Sequence, residues 1–168
     1  MTELEKSPVG NFNFELSFHK TALNATGAEP AGENRSDADK ARAVAGGTFA
    51  ECTGLEATME PRVIREGGLN YGAHQRSGAV SFATVILRRG ITDNGDLWKW
   101  FALSTQAGGY AYRVDVEIHH LDAARNSVRG WKLFRALPVK LKSSDLNARG
   151  GEVAVEELHL VHEGLTML

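Results

Sequence analysis

The sequence predicts a mainly β protein, either an antiparallel β-barrel or a two-sheet sandwich with one short flanking helix. Several segments alternate strictly between apolar and polar residues, which is typical of strands buried on one face. These segments follow one another without helical crossovers, so neighbouring strands should pair antiparallel. Only one segment has the i, i+3, i+4 spacing of an amphipathic helix.

Composition bounds the class of protein. The 168 residues suit one domain, residues 1–168, and the content of 42% hydrophobic and 24% charged residues is that of a soluble globular protein. A formal charge of −2 argues against a nucleic-acid binder held by phosphate contacts. Cys52 is the single cysteine, so no internal disulfide can form. No apolar run is long enough to span a membrane, and the polar first residues do not resemble a secretory signal.

The first strand is predicted over residues 11–19, where Phe12, Phe14, Leu16 and Phe18 share one face. Residues 20–47 are rich in Ala, Gly, Glu, Asp and Asn and predict a long polar loop, either a tolerated surface insertion or a contact arm.

Two further strands are predicted over residues 48–53 and 55–64. Pro61 in the second of them requires an edge position or a bulge.

The stretch that follows combines a charged, glycine-rich loop with an apolar run. The loop contains Arg65, Glu66 and the pair Gly67–Gly68, and paired glycines allow positive φ and close approach of another backbone. It is either an ordinary hairpin connection or a place where another subunit docks. Residues 78–90 are β-branched and apolar between glycines, which predicts one well-buried strand.

Residues 91–103 are predicted to form the helix. Asp93 or Asn94 can cap it, and its apolar face follows the helical spacing: Leu97, Trp100 and Phe101. Trp98 lies off that face. We expect it at the edge of the core, since large aromatic side chains are mostly buried, with an exposed contact as the alternative.

The remaining chain predicts three strands and a turn. Residues 110–119 alternate, residues 122–126 have the composition of a hairpin turn, and residues 128–141 return with a kink, bulge or edge at Pro138. The last strand covers residues 152–163. Its valines before Glu156 lie at odd-numbered positions and its leucines after Glu157 lie at even-numbered positions, so we expect a bulge near these two glutamates.

No pattern of catalytic, cofactor-binding or metal-binding residues is present. The six histidines lack metal-ligand spacing, and the sequence has neither a Gly-x-Ser-x-Gly elbow nor a phosphate loop. We therefore expect a structural or binding role rather than an enzyme. A monomeric β-barrel that binds a small ligand in its interior remains an alternative, whereas a hydrolase has no support in the sequence.

Several segments together resemble the inner tube proteins of contractile injection systems, which include contractile phage tail tubes and extracellular injection particles of bacteria. The resemblance runs from about Val9 to Leu165, and only the loop of residues 20–47 has no counterpart in the pattern. It rests on these segments: residues 49–56, 65–70, 85–90, 97–100, 129–133, 136–140 and 155–165.

The resemblance implies a phage tail tube-like subunit. Six copies would pair their sheets edge to edge into a ring, and stacked rings would form a hollow tube inside a contractile sheath that drives it through a target envelope. The implied partners are the subunit itself, the sheath protein, the baseplate or spike hub, tube-terminating proteins, and a tape-measure protein or cargo in the lumen. Specific nucleic-acid recognition and membrane insertion by the subunit are not implied.

The same resemblance implies assembly in the bacterial cytoplasm, followed by release of the particle or its anchoring to a membrane. A ring-forming tube protein of type VI secretion is the alternative within this class. Stacking of rings needs a second surface, and we expect it in the two polar loops, with Arg65 and Glu66 pairing across subunits. The candidate contact residues are Arg65, Glu66, Gly67, Gly68, Asn70, Asp37 and Arg42.

Overall fold

The computed structural model describes residues 13–20, 49–68, 71–93, 95–106, 113–145 and 153–168. The strands in these ranges are antiparallel, and one helix accompanies them, which confirms the predicted fold class. In chain order the elements are β1 (Phe14–Lys20), β2 (Glu51–Thr53), β3 (Ala57–Met59), β4 (Arg62–Ile64), β5 (His74–Arg76), β6 (Val80–Phe82), β7 (Val85–Gly90), α1 (Asp96–Thr105), β8 (Val114–Leu121), β9 (Ser127–Ser143), β10 (Val155–Val161) and β11 (Gly164–Met167).

The main sheet has seven strands in the order β1-β8-β9-β10-β7-β2, with β11 also paired to β9. The sheet curls around one core without closing into a barrel. Phe18 lies on β1 at one end of the sheet and Phe49 lies two residues before β2 at the other end, yet their ring centroids are 6.0 Å apart. Both ends of the sheet therefore share one hydrophobic core.

Helix α1 covers this core, as its apolar spacing predicted. Leu97 and Trp100 are buried, and the Trp100 ring meets Phe18 edge-on at 6.0 Å between centroids. Gly95 is the N-cap and makes no side-chain cap, so the expected cap at Asp93 is wrong; Asn94 lies outside the described residues. Trp98 is 46% exposed, so its expected place at the edge of the core is also wrong.

The apolar run of residues 78–90 forms two strands instead of one buried strand. β6 is mostly exposed, whereas β7 lies inside the main sheet. The strand is interrupted between β6 and β7, at the point where Gly54 approaches the backbone of Thr84. A Cβ at Gly54 would lie 2.1 Å from the Thr84 carbonyl oxygen, and the φ of +86° also favours glycine there.

The last strand differs from its prediction in where it bends. The register shift lies between His159 and Leu160, opposite Pro138, which confirms the irregularity expected at that proline. The bulge expected near Glu156 and Glu157 is wrong, because Glu156 points into the core on the same face as Leu158 and Leu160.

Glu156 can point inward because Arg89 of β7 lies opposite it. Arg89 is 1% exposed and donates from Nε to the Glu156 carboxylate at 3.2 Å and from a terminal nitrogen to Asp96 at 2.6 Å. Its guanidinium also lies 5.7 Å from the centroid of the Phe49 ring. Burial lowers the pKa of this guanidinium, but hydrogen bonds and charge from Asp96 and Glu156 together raise it by more. The net change is upward, so Arg89 stays charged.

A second charge network lies on the outer face of β7 and β10. Glu157 accepts hydrogen bonds at 2.6 Å from His159 and at 2.9 Å from Arg88, and these two partners lower its pKa from an ordinary value of 4.5 to about 2. A carboxyl with a lowered folded-state pKa stabilises the fold above its unfolded pKa and loses that contribution as the pH falls through the folded one.

We therefore expect part of the stability of the chain to disappear between pH 4.5 and about pH 2. Replacing Glu157 with Gln removes the titrating group, so the variant should lose less stability over this interval than the natural chain. Thermal unfolding followed by circular dichroism across the acid range measures this difference. Parallel pH profiles for the two proteins would contradict the assignment.

Candidate subunit-contact site

Strands β3 to β6 form one long hairpin that is separate from the main sheet. β3 pairs with β6 and β4 pairs with β5, both antiparallel. The hairpin starts where the Ala83 N–H donates to the Glu56 carbonyl oxygen at 3.1 Å, and it continues through a bond from the Glu60 N–H to the Ala79 carbonyl at 3.0 Å. We call residues 56–83 the arm.

The arm is amphipathic. Residues on one strand face the same side as their register partners, and alternate residues change sides. The resulting apolar face contains Ala57, Met59, Val63, Val80 and Phe82, together with Gln75, and the polar face contains Thr58, Glu60, Arg62, His74, Arg76 and Ser81, together with Ile64.

The apolar face is open to solvent in the single chain. Met59 is 48% exposed, Val63 55% and Val80 53%. A two-stranded ribbon is only marginally stable in water unless another surface covers it, and contiguous exposed apolar side chains are typical of protein contacts. The arm is therefore suited to burial against another molecule.

A bulge in the middle keeps the two halves of the arm in phase. The bulge lies between the β3–β6 and β4–β5 pairs. There, two residues of one strand, Glu60 and Pro61, lie opposite three residues of the other strand, residues 77–79. This confirms the edge or bulge expected at Pro61. A Cβ at Gly78 would lie 1.9 Å from the Glu60 carbonyl oxygen, so only glycine fits this crossing without a backbone shift. The extra residue lies on the β5–β6 side, where it brings Gln75, the register partner of Val63, to the face of Val80.

The glycine-rich loop forms the tip of the arm. Gly67 and Gly68 make the turn, and Gly68 has a φ of +93°. Glu66 hydrogen-bonds to His74 at 3.1 Å within the same arm, whereas Arg65 meets no carboxylate in the described ranges. The pairing of Arg65 with Glu66 across subunits stays a prediction, and it would have to compete with this intrachain bond.

Three of the candidate contact residues cannot be placed. Asn70, Asp37 and Arg42 lie outside the described residues. Sequence reasoning found the tip through its charge and glycines, but it missed the apolar face. The signal was available in residues 57–63 and 80–82, whose apolar positions alternate and could have been paired as one hairpin.

The root of the arm packs against the turn between β10 and β11. The Phe82 ring lies 5.1 Å from the His162 imidazole, centroid to centroid. Burial lowers the pKa of His162, and its Nδ1 lies 2.9 Å from the Gly164 carbonyl oxygen, so this nitrogen carries the hydrogen of a neutral ring. The contact ties the arm to the main sheet.

The described part of the chain offers little for chemistry. Burial raises the pKa of the Cys52 thiol to about 11, so it stays protonated and is a poor nucleophile. No three His, Cys, Asp or Glu side chains in the described ranges are placed to share a metal ion. The helix among these residues is also too short to cross a bilayer.

Comparison with known proteins gives the family. The model of the family described as T4-like virus tail tube protein gp19 matches residues 10–166. The chain belongs to this family. It is a phage tail-like tube protein of the kind found in contractile injection systems, as the sequence resemblance indicated.

Solved structures with the same fold agree with this assignment. A chain of the anti-feeding prophage baseplate is 24% identical, covers 97% of each chain and has a TM-score of 0.71. A chain of the PVC extracellular contractile injection system, from its extended sheath–tube complex, is 19% identical over 98% of this tail tube protein and 93% of that chain, with a TM-score of 0.72. A chain of the anti-feeding prophage cap is 16% identical over 100% and 95%, with a TM-score of 0.73. These likenesses show the fold.

One curated relative is an enzyme, but the match is partial. A thymidylate synthase from Pseudomonas fluorescens (strain SBW25) is 35% identical over 81 aligned residues. The match takes in 43% of this chain and 29% of the enzyme, so the tail tube protein spans less than a third of that relative. The family assignment, in contrast, covers nearly the whole chain and is structural.

Two strands of the tail tube protein end the strand order of the main sheet, and β11, which pairs only with β9 in the described ranges, lies off this order. Within the described ranges β1 pairs only with β8, and β2 only with β7, so each leaves one edge without a strand beside it. The edge of β1 is seven residues long. Such edges are templates for pairing with another chain unless the protein blunts them.

Proposed function

We propose that the chain is the non-enzymatic structural subunit of the hollow inner tube of a contractile injection system, in which six copies form a ring and rings stack inside a contractile sheath. The exposed apolar face of the arm carries this proposal. In a monomer, the isolated ribbon would leave the apolar side chains of Met59, Val63 and Val80 in contact with water, which is unfavourable. In an assembled subunit, other copies of the chain can cover these side chains.

Ring closure uses the open sheet edges in this proposal. A head-to-tail contact between two different edges closes into a ring when the rotation per subunit divides a full turn. The β1 edge of one copy and the β2 edge of the next provide such a pair. Stacking then uses a different surface, the arm, so each subunit has separate means of forming rings and of joining them.

The partners follow from the place of the subunit in such a particle. Similar folds occur in structures titled as a baseplate, a sheath–tube complex, and a tube terminating cap. We infer that this chain contacts the sheath protein, a baseplate or spike hub and tube-terminating proteins, with a tape-measure protein or cargo in its lumen. Assembly takes place in the bacterial cytoplasm, and contraction of the released or membrane-anchored particle drives the tube through a target envelope.

Purification of the full chain tests the proposal, alone and together with the sheath and tube-terminating proteins of the same system. Light scattering after size-exclusion chromatography should give hexamers, and negative-stain electron microscopy should show rings and tubes. A monomer that persists at high concentration with every component present would contradict the proposal and favour a small-ligand binder. Rings that never associate with the sheath would contradict the placement of the tube inside a contractile sheath.

A further inference from the structure

Two arginines on the polar face of the arm lie directly opposite each other. Arg62 of β4 and Arg76 of β5 are register partners, and both side chains are exposed. Like charges at directly opposed positions destabilise a strand pair. Neither guanidinium has a carboxylate within 4.0 Å in the part of the chain that the structure describes. This repulsion would be relieved by an anionic group bound between the two arginines.

The strands of the main sheet leave one carboxylate available for that role. Five of the six described strand carboxylates have cations of their own chain beside them: Glu51 and Glu157 with Arg88, Glu156 with Arg89, and Asp115 and Glu117 with Lys132. Glu15 is the sixth. It is exposed and has no ion-pair partner among the described residues.

The position of Glu15 suits a contact between copies. It lies on β1, whose outer edge is open, and its register partner on β8 is His119. Its side chain is on the outer face of the sheet, because the neighbouring positions Phe14 and Leu16 belong to or pack on the core. An arm from a copy in the next ring, lying across the outer face of the sheet over β1, would bring its polar face to this carboxylate and leave the β1 edge free for ring closure.

We propose that Arg62 and Arg76 of one subunit bind the Glu15 carboxylate of a second copy of the chain. The inference rests on the proposed tube function and adds the surface that receives the arm. Two guanidinium groups around one carboxylate form charge-assisted hydrogen bonds and replace a repulsion with two attractions. The contact is separate from the apolar one, since the arginines point away from Met59 and Val80.

Charge exchange tests the pairing in the full-length protein. Glu15→Arg and the double variant Arg62→Glu/Arg76→Glu should each raise the concentration needed for tube assembly about tenfold or more. The combined variant, with all three charges exchanged, should restore assembly. Arg129→Glu is the matched control, because Arg129 is an exposed arginine on β9 without a carboxylate partner in the described ranges, and this variant should assemble normally.

Sedimentation and electron microscopy of the tubes measure the effect, and circular dichroism verifies the fold of each variant. Arg62→Gln/Arg76→Gln, which only removes charge, should also weaken assembly and make it less sensitive to salt. This milder variant decides the matter if a charge reversal prevents folding.

The outcomes separate the two proposals. Natural protein that forms tubes, with arm variants that form them equally well, would overturn the pairing and leave the tube function standing. Single variants that fail without rescue by the exchange would overturn the pairing too. Loss of binding to anionic lipid vesicles by arm variants that still assemble would assign the arginines to lipid phosphates instead. Failure of the natural protein to assemble with all its partners would overturn both proposals.

Discussion

Replacing Arg89 with Met is expected to lower the free energy of unfolding by about 3–5 kcal/mol. The guanidinium is 1% exposed, and its removal leaves the carboxylates of Asp96 and Glu156 in the interior without a cation. The cost of an uncompensated buried charge exceeds what the apolar methionine gains in packing. The loss should also loosen α1, because Asp96 lies in its first turn and also accepts the Leu97 N–H at 2.8 Å.

Urea unfolding followed by circular dichroism measures this loss. Arg88→Met is the control, because Arg88 is the next residue and also pairs with two carboxylates, Glu51 and Glu157, but on the exposed face of the sheet. Solvent screens exposed pairs, so this variant should unfold close to the natural protein. Equal losses in the two variants would contradict the interior role of Arg89.

A triple variant separates the charge effect from the loss of packing. Arg89→Met/Asp96→Asn/Glu156→Gln carries no charge at the three positions. It should recover part of the stability lost in the single variant, because neutral amides are less costly to bury than carboxylates. A triple variant that is less stable than Arg89→Met would show that hydrogen-bond geometry, rather than charge, holds β7, β10 and α1 together.

The sequence predicted the strands in which apolar and polar residues alternate because one face is buried. β1 and β8 alternate strictly, since each has one side on the core, and both lie where the alternation placed them. The turn after β8 also followed from its composition: Asp122 accepts N–H bonds from Ala124 and Asn126. In each case the residues that decide the structure are neighbours in sequence.

The interior charges could not be predicted in the same way. Arg89 ends a run of apolar residues and looks like the solvent-exposed end of a strand, and Glu156 looks like an interruption of an apolar phase. Each is buried because the other lies opposite it, and the two are 67 positions apart in the chain. A pattern read along one strand contains no information about such a partner.

The contact site shows a different limit. Charge and glycine content located the tip of the arm, but the run of residues 78–90 was interpreted as one buried strand. An apolar strand face has the same composition whether it is covered by its own core or by a second molecule. Only the arrangement of β3 to β6 outside the main sheet shows that the residues around Val80 have no cover within the described chain.

The second large effect is expected from substitutions on the apolar face of the arm. Val63→Asp/Val80→Asp is expected to abolish ring stacking and tube formation while the subunit still folds. Both side chains are more than half exposed in the single chain, so the substitutions remove no packing from the core. Burying each valine on assembly contributes roughly 1.5–3 kcal/mol, so losing both lowers the association constant of each contact by about a hundredfold or more.

Two exposed valines outside the arm provide the matched control. Val128→Asp/Val139→Asp makes the same two substitutions on β9, at side chains that are 49% and 47% exposed. Electron microscopy and light scattering should find tubes for this control and unassembled subunits for Val63→Asp/Val80→Asp, with equal circular dichroism spectra. If both variants formed tubes, the apolar face would remain in solvent after assembly, and the arm would join subunits through its charges alone. If neither formed tubes, added negative charge rather than loss of the apolar contact of the arm would be the cause, since both variants replace two exposed valines with aspartate.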